Sequence, residues 1–437
     1  MMYYAFALSM VLPAMAIWFR LSTGTWLHPA SLFPMWWSFA AILPMVIAHE
    51  EPVSPWAVVW VIGASLAVAL GAVAGNGGLK THRTLKPPRA GKLEQQLLSW
   101  PMLIALVLGM GSSIAFALSA GVSVSDLTDI SKLVVVSNQM YVARYAEAGA
   151  ASPPFVSQAL LPFVYLAPVM GGMVFVLRRQ ARWRALALAT MLPAIAVTVL
   201  QTTKAAVLFS ASLWLCSYFA TRLRVGNLKV YTRGHMIVAA VLGVLVTVFF
   251  FGVGLARMAA TDTSLAAVVR VKLITAAFGH MSVFSQWLND YWGQWYEPTL
   301  GAYTFAGPLE LLGFQQRVPG IFGNVVELIA GETSNIYTGF RPLIQDFSMP
   351  GAIAILGLLG FVGGASYRSV ARGNAGAVPV LIAAYMTILW TPITWFWIYN
   401  SLTATVVVIG LMVVVVRILR GARAPTQRTD EGIIGTA

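Results

Sequence analysis

The residues best suited to chemistry in this chain are concentrated between positions 256 and 347. The acids there include Asp290, Glu297, Glu310, Glu327, Glu332 and Asp346, and the cations are Arg257, Arg270, Lys272, Arg317 and Arg341. A carboxylate near a dry surface has its pKa raised by desolvation and can act as a base. The same acids also serve as ion-pair partners or helix caps, and Asp346 stands where it would complement the dipole of a following helix. Arginine grips phosphate oxygens in pairs through its planar fork, so these cations suit an anion such as a lipid-linked diphosphate. Headgroup contact or pairing with the acids is the plainer alternative.

Two further features stand in the same stretch. His280 falls in a predicted helix over about 264–292, on one face with Leu273, Phe284, Trp287 and Tyr291. It reads either as a packed residue or as a general base, since imidazole titrates near neutral pH. The run from Trp287 to Glu297 holds Trp287, Tyr291, Trp292, Trp295 and Tyr296 among amides and acids. Aromatic faces stack on sugar rings, and they also gather at membrane interfaces. No H-e-x-x-H, paired-cysteine, D-x-D, Walker A or G-x-S-x-G pattern occurs, so neither a metal site nor ATP use is expected.

These residues must be positioned by membrane helices. The chain is 58% hydrophobic and 10% charged, with a mean hydropathy of +0.77. A soluble domain carries roughly 25% charged residues. Apolar runs fall at about 3–19, 30–48, 55–75, 98–120, 157–177, 185–202, 204–221, 236–255, 348–367, 377–394 and 401–417. Each is about as long as a bilayer is thick. The stretch 185–221 is divided in two because it is too long for one span, with the break at Gln201-Thr202-Thr203-Lys204. Residues 3–19 lack the basic flank of a secretory signal, because the first cation, Arg20, follows them. They read as a retained helix. The single cysteine, Cys216, allows no disulfide framework.

The loops divide by charge. One set holds 20 of the 28 basic residues and only Glu94, Asp430 and Glu431 among the acids, for +17. The other set holds eight basic and twelve acidic residues, for −4. Basic loops stay in the cytoplasm. The net charge of +13 is therefore a topology signal and needs no nucleic-acid partner. The fold expected is all-α and polytopic, one membrane domain over 1–437 with about eleven helices. Long loops at 121–156 and 256–347 lie outside, and long loops tend to be functional.

The segments Gly301-Ala302-Tyr303-Thr304-Phe305-Ala306-Gly307-Pro308, Val318-Pro319-Gly320, Asn335-Ile336-Tyr337-Thr338-Gly339-Phe340-Arg341-Pro342 and Asp346-Phe347-Ser348-Met349-Pro350-Gly351 come in this order within about fifty residues. Together they resemble the Wzy-type oligosaccharide repeat-unit polymerases, whose patterns look like G-G-x-T-F, N-V-Y-T-x-F-x-P and D-F-G-x-x-G. Ser348 and Ala302 stand where that family often has glycine. The related O-antigen ligases look similar but place a His before the Asn, where this chain has Ser334.

The resemblance implies a GT-C-like, metal-independent glycosyltransferase of the bacterial inner membrane, without a cofactor. It would join undecaprenyl-diphosphate-linked oligosaccharide repeat units at the periplasmic face, making O-antigen or exopolysaccharide, with a chain-length regulator as a further partner. In that reading Asp346 is the base or positions the acceptor, with Glu332 and His280 in reserve. Arg341, Arg317, Arg257 and Lys204 hold diphosphates, and Asn335, Tyr337, Trp287 and Tyr291 touch sugar or order the loop. The alternatives are a ligase of finished glycan and a transporter or flippase of lipid-linked sugars. Against transport stand the scarcity of charges within the spans and the length of the outer loop.

Overall fold

In lipid, an apolar run can satisfy its backbone groups only within itself, so runs of about twenty such residues coil. A computed structural model of the chain describes residues 2–79, 92–119, 121–123, 132, 135, 155–201, 204–226, 271–272, 274–293, 297–316, 322–328, 331 and 333–422. The described residues form helices α1 (Met2–Ser9), α2 (Val11–Thr23), α3 (Pro29–Ile47), α4 (Pro55–Asn76), α5 (Lys92–Ser119), α6 (Phe155–Leu177), α7 (Ala181–Ala189) and α8 (Leu192–Gln201). They continue with α9 (Lys204–Arg224), α10 (His280–Gly293), α11 (Ala306–Leu311), α12 (Phe340–Ala371), α13 (Val378–Trp390) and α14 (Asn400–Ala422). Strands β1 (Val326–Glu327) and β2 (Thr333–Ser334) pair as a short antiparallel hairpin in the loop before α12.

Among the described residues, eight segments are long and apolar enough to cross a membrane: α1 with α2, α3, α4, α5 from Leu98, α6, α7 with α8, α9 and α12. The chain is a mostly helical, multi-pass membrane protein. Shorter apolar helices occupy Ala375–Trp390 and Asn400–Met412, where the last two spans are expected. The expected span at 236–255 and nearly all of the loop 121–156 lie outside the described residues. The stretch 185–221 does form two spans, since Trp214 Nε1 of α9 donates back to the Ala187 carbonyl oxygen of α7 at 3.1 Å; the expected break at Thr202-Thr203 itself lies outside the described residues.

Local sequence sets the helix ends. Ser54 precedes Pro55, and its hydroxyl accepts the Trp56 N–H at 3.3 Å. His28 does the same for α3, its Nδ1 accepting the Ala30 N–H at 3.2 Å ahead of Pro29. Proline suits the first helical turn because its missing N–H would have no partner there anyway.

Among the described residues, the closest packing joins α4 to α12. A Cβ added to Gly71 would lie 2.0 Å from the Gly357 carbonyl oxygen, and one on Gly75 2.0 Å from that of Phe361. From the other side, Gly360 faces the Val68 oxygen at 2.1 Å and Gly364 that of Ala72 at 2.0 Å. Gly71 and Gly75 are four apart, as are Gly360 and Gly364. This is the small-residue spacing that lets membrane helices meet backbone to backbone. Numbers rise together along both helices, so α4 and α12 run parallel.

Other contacts fix which loops share an end of the bundle. The α4 cap Gly77 lies against the Arg368 guanidinium of α12. His28 packs edge-on to Tyr367 at 4.9 Å, and Arg224 Nε donates to the Gly373 carbonyl oxygen at 3.3 Å. Thus the loops around Arg20, Arg224 and Arg368, all read as cytoplasmic, meet at one end. At the opposite end the Ser54 N–H donates to Ser285 Oγ of α10 at 2.5 Å, and the Gly339 N–H donates to the Thr391 carbonyl oxygen at 2.6 Å.

Because a methyl group at Gly71 or Gly360 would overlap a carbonyl oxygen, Gly71→Ala or Gly360→Ala should lower stability by about 1–3 kcal/mol or more. Gly63, on the same helix α4, faces open space. Gly63→Ala should be neutral or slightly stabilising. Thermal unfolding in detergent or lipid discs, comparing the three variants, checks this.

Candidate functional site

The site is built where the loop 297–339 folds onto the first turns of α12. Asp346 organises it. The residue is buried, and its carboxylate closes the turn that carries Gly301-Ala302-Tyr303-Thr304-Phe305. The Thr299 hydroxyl donates to Oδ1. The Tyr303 N–H reaches both oxygens at 3.2 Å, and the Thr304 N–H donates to Oδ2 at 2.5 Å. The backbone adds a fourth tie, from the Leu300 N–H to the Asp346 carbonyl oxygen at 3.1 Å. A carboxylate with this many donors is strongly held. Two of the ordered sequence segments are thereby bolted together through one side chain.

The turn carries Tyr303 into an aromatic cluster. Tyr303 stacks on Phe322 with ring centroids 5.4 Å apart, and Phe322 meets Tyr337 edge-on at 5.8 Å. Arg341, 6% exposed, sits among these rings. Its guanidinium carbon lies 3.9 Å from the centroids of both Phe322 and Tyr337, and 5.5 Å from that of Trp287. Each such cation–ring contact contributes about 0.5–2 kcal/mol, more where water is excluded. Trp287 in turn packs against Tyr291 at 5.3 Å and Phe284 at 6.0 Å. The Tyr337 hydroxyl donates to the Asn324 carbonyl oxygen at 2.7 Å, which ties the cluster to the hairpin.

Comparison of the chain with protein-family models, with curated proteins and with solved structures finds no match. The geometry therefore has to carry the functional reading.

Of the residues expected to form the site, Arg341, Tyr337, Trp287 and Tyr291 come together in one cluster. Asp346 is linked to it through Tyr303. Asn335 follows β2 and is exposed. His280 stands apart. It is buried at the start of α10, with Nε2 2.8 Å from the Ala40 carbonyl oxygen midway along α3. That oxygen can only accept, so Nε2 carries the proton. His280 thus belongs to the packing of α10 on α3. Glu332, Arg317, Arg257 and the Val318-Pro319-Gly320 segment lie outside the described residues, as does the Lys204 side chain at the first position of α9. Among the described residues no three His, Cys, Asp or Glu side chains gather as a metal ion would require. Phe322, Tyr303, Thr299 and Thr304 are site members that sequence reasoning did not single out. Tyr303 and Thr304 were visible inside the G-A-Y-T-F segment, but Phe322 had no signal apart from being aromatic.

The backbone around the site is strained. Leu300, Thr338 and Ser348 have φ of 50°, 67° and 60°. Ser348 combines φ 60° with ψ 176° and interrupts α12 two residues after Asp346. That region is almost exclusive to glycine and costs of order 1–3 kcal/mol for other residues. A glycine at this position would adopt the same backbone without that strain.

Two outcomes follow from these geometries. Ser348→Gly should raise stability by about 1 kcal/mol, because strain is removed while unfolded-state entropy increases. Asp346→Asn turns one acceptor into an NH₂ group facing N–H donors and should cost about 2 kcal/mol. Denaturation midpoints of the two variants against the unaltered chain check both signs.

Proposed function

We propose that the protein is a polysaccharide polymerase of the Wzy type, transferring a growing glycan from its lipid diphosphate onto a lipid-linked repeat unit outside the cytoplasm. The observation that carries the reading is the Arg341 cluster. Four residues chosen from the sequence for diphosphate and sugar contact lie within one aromatic group, on the loop that the charge pattern puts outside.

Chemically the transfer has two demands. The acceptor hydroxyl must lose a proton as it attacks the anomeric carbon, and the leaving diphosphate must be stabilised as its charge grows. Cationic side chains held rigidly in a low-dielectric setting meet the second demand without reorganising. Arg341 is held by three rings, so its charge is fixed at the base of the loop, with Arg317 and Arg257 as partners from the same loop. For the first demand, Asp346 already receives three donors and acts as a positioning group that keeps Tyr303 in place. Glu332, one residue before Thr333 of β2, is the base in this scheme. Exposed Asn335 and the Trp287–Tyr291 pair present the amide and ring faces that sugars need.

The test is made in cells. Deleting the gene should leave single repeat units on the surface glycan. Loss of all attached polymer would indicate a ligase, and accumulation of intermediate inside would indicate a flippase. In the complemented strain, Arg341→Lys keeps the charge but loses the planar fork and its stacking. It should reduce polymer yield about tenfold, equivalent to about 1.4 kcal/mol of transition-state stabilisation. Unchanged polymer length and yield in both Arg341→Lys and Glu332→Gln would sink the proposal.

A further inference from the structure

The turn tied down by Asp346 has a second face. While Tyr303 and Thr304 point into the site, Leu300 is 83% exposed and Phe305 is also open. The chain then runs through α11, and Leu311, Leu312 and Phe314 are exposed too, the last two at 70% and 78%. Five large apolar side chains thus stand open within fifteen residues. A soluble surface seldom carries such a patch without a purpose.

The position of α11 says what covers it. A Cβ on Gly307 would lie 2.7 Å from the Trp397 carbonyl oxygen and 2.9 Å from the Asn400 nitrogen, so α11 is pressed against the start of α14. Helix α14 turns an exposed apolar face outward through Val407, Leu411, Val414 and Val415, as a membrane helix does toward lipid. The apolar patch therefore sits on the rim of the bundle, at the non-cytoplasmic end of a helix whose flank already meets lipid. Half-buried Glu310 and exposed Gln316 border the patch. An apolar face with a polar border is the pattern of a segment lying in a membrane interface.

We infer that the exposed side chains of Leu300–Phe314 are immersed in the bilayer leaflet on the non-cytoplasmic side, with acyl chains as the occupant of the patch. This rests on the proposed function only for its consequence, which is that the substrate arrives as a membrane-borne lipid conjugate and not as a free sugar nucleotide from water. Immersion itself can be measured without any assay of glycosyl transfer.

The chain has one native cysteine, Cys216, and it is buried. Single cysteines at Leu312 and Phe314 can therefore carry nitroxide labels in the full-length protein reconstituted into phosphatidylcholine–phosphatidylglycerol discs, with labels at Leu411 and Glu327 as lipid and water references. Collision rates with oxygen and with a water-soluble nickel chelate are then compared. The oxygen-to-nickel ratio at 312 and 314 is expected to match that at 411 and to exceed that at 327 several-fold. A ratio like that at 327 would overturn the inference. Low rates with both reagents at 312 and 314 would also overturn it, because the patch would then be covered by protein. Neither result bears on the Arg341→Lys test, so the two readings fail separately.

Discussion

The end of the bundle that carries the loop before α12 depends on the contact between the backbones of α4 and α12. In water, helices associate because apolar surface is removed from solvent. In lipid that force is absent, and close approach, with the dispersion contacts it allows, has to supply the cohesion. Glycines on both helices remove the side chains that would keep the axes apart. The result fixes the height and rotation of α12 relative to the first four helices. Arg341 and Asp346 lie on the two turns before the break at Ser348, so the contact several turns below reaches them through that kink.

Above that anchor, the loop is held by polar ties of unequal kind. Asp346 gathers backbone N–H groups and a hydroxyl from a turn more than forty residues earlier. Arg341 is held by rings. The two charged groups lie five residues apart on α12, yet each organises a different piece of the loop, the turn by hydrogen bonds and the hairpin side by aromatic faces. Tyr303 and Phe322 connect the pieces. A buried charge serves such a purpose well, because a partner that drifts away leaves it uncompensated at high cost.

Much of the architecture was readable in the residues. Apolar length placed every span that the structure describes, because a bilayer imposes one length on all of them. The split near Gln201 followed from the same constraint. Arg341, Trp287 and Tyr291 stand out by their chemistry and Tyr337 by the resemblance, and the four are neighbours in the structure. The interior roles were less legible. Asp346 reads as a base, an ion-pair partner or a helix cap until the turn that donates to it is seen. His280 shows an apolar helical face in sequence, and only three-dimensional packing reveals that Ala40 of a distant helix lies against it. The glycine pairs of α4 and α12 were in view throughout, but spacing alone does not say which helices they join.

The parallel pairing of α4 with α12 also has a consequence for how the protein is made. Gly71 and Gly75 enter the membrane early, whereas Gly360 and Gly364 are translated only after most of the chain. At typical elongation rates the interval is on the order of tens of seconds. Until then the small-residue face of α4 lacks the partner that closes it in the folded protein. The order of synthesis makes the closing of that face by α12 a late step.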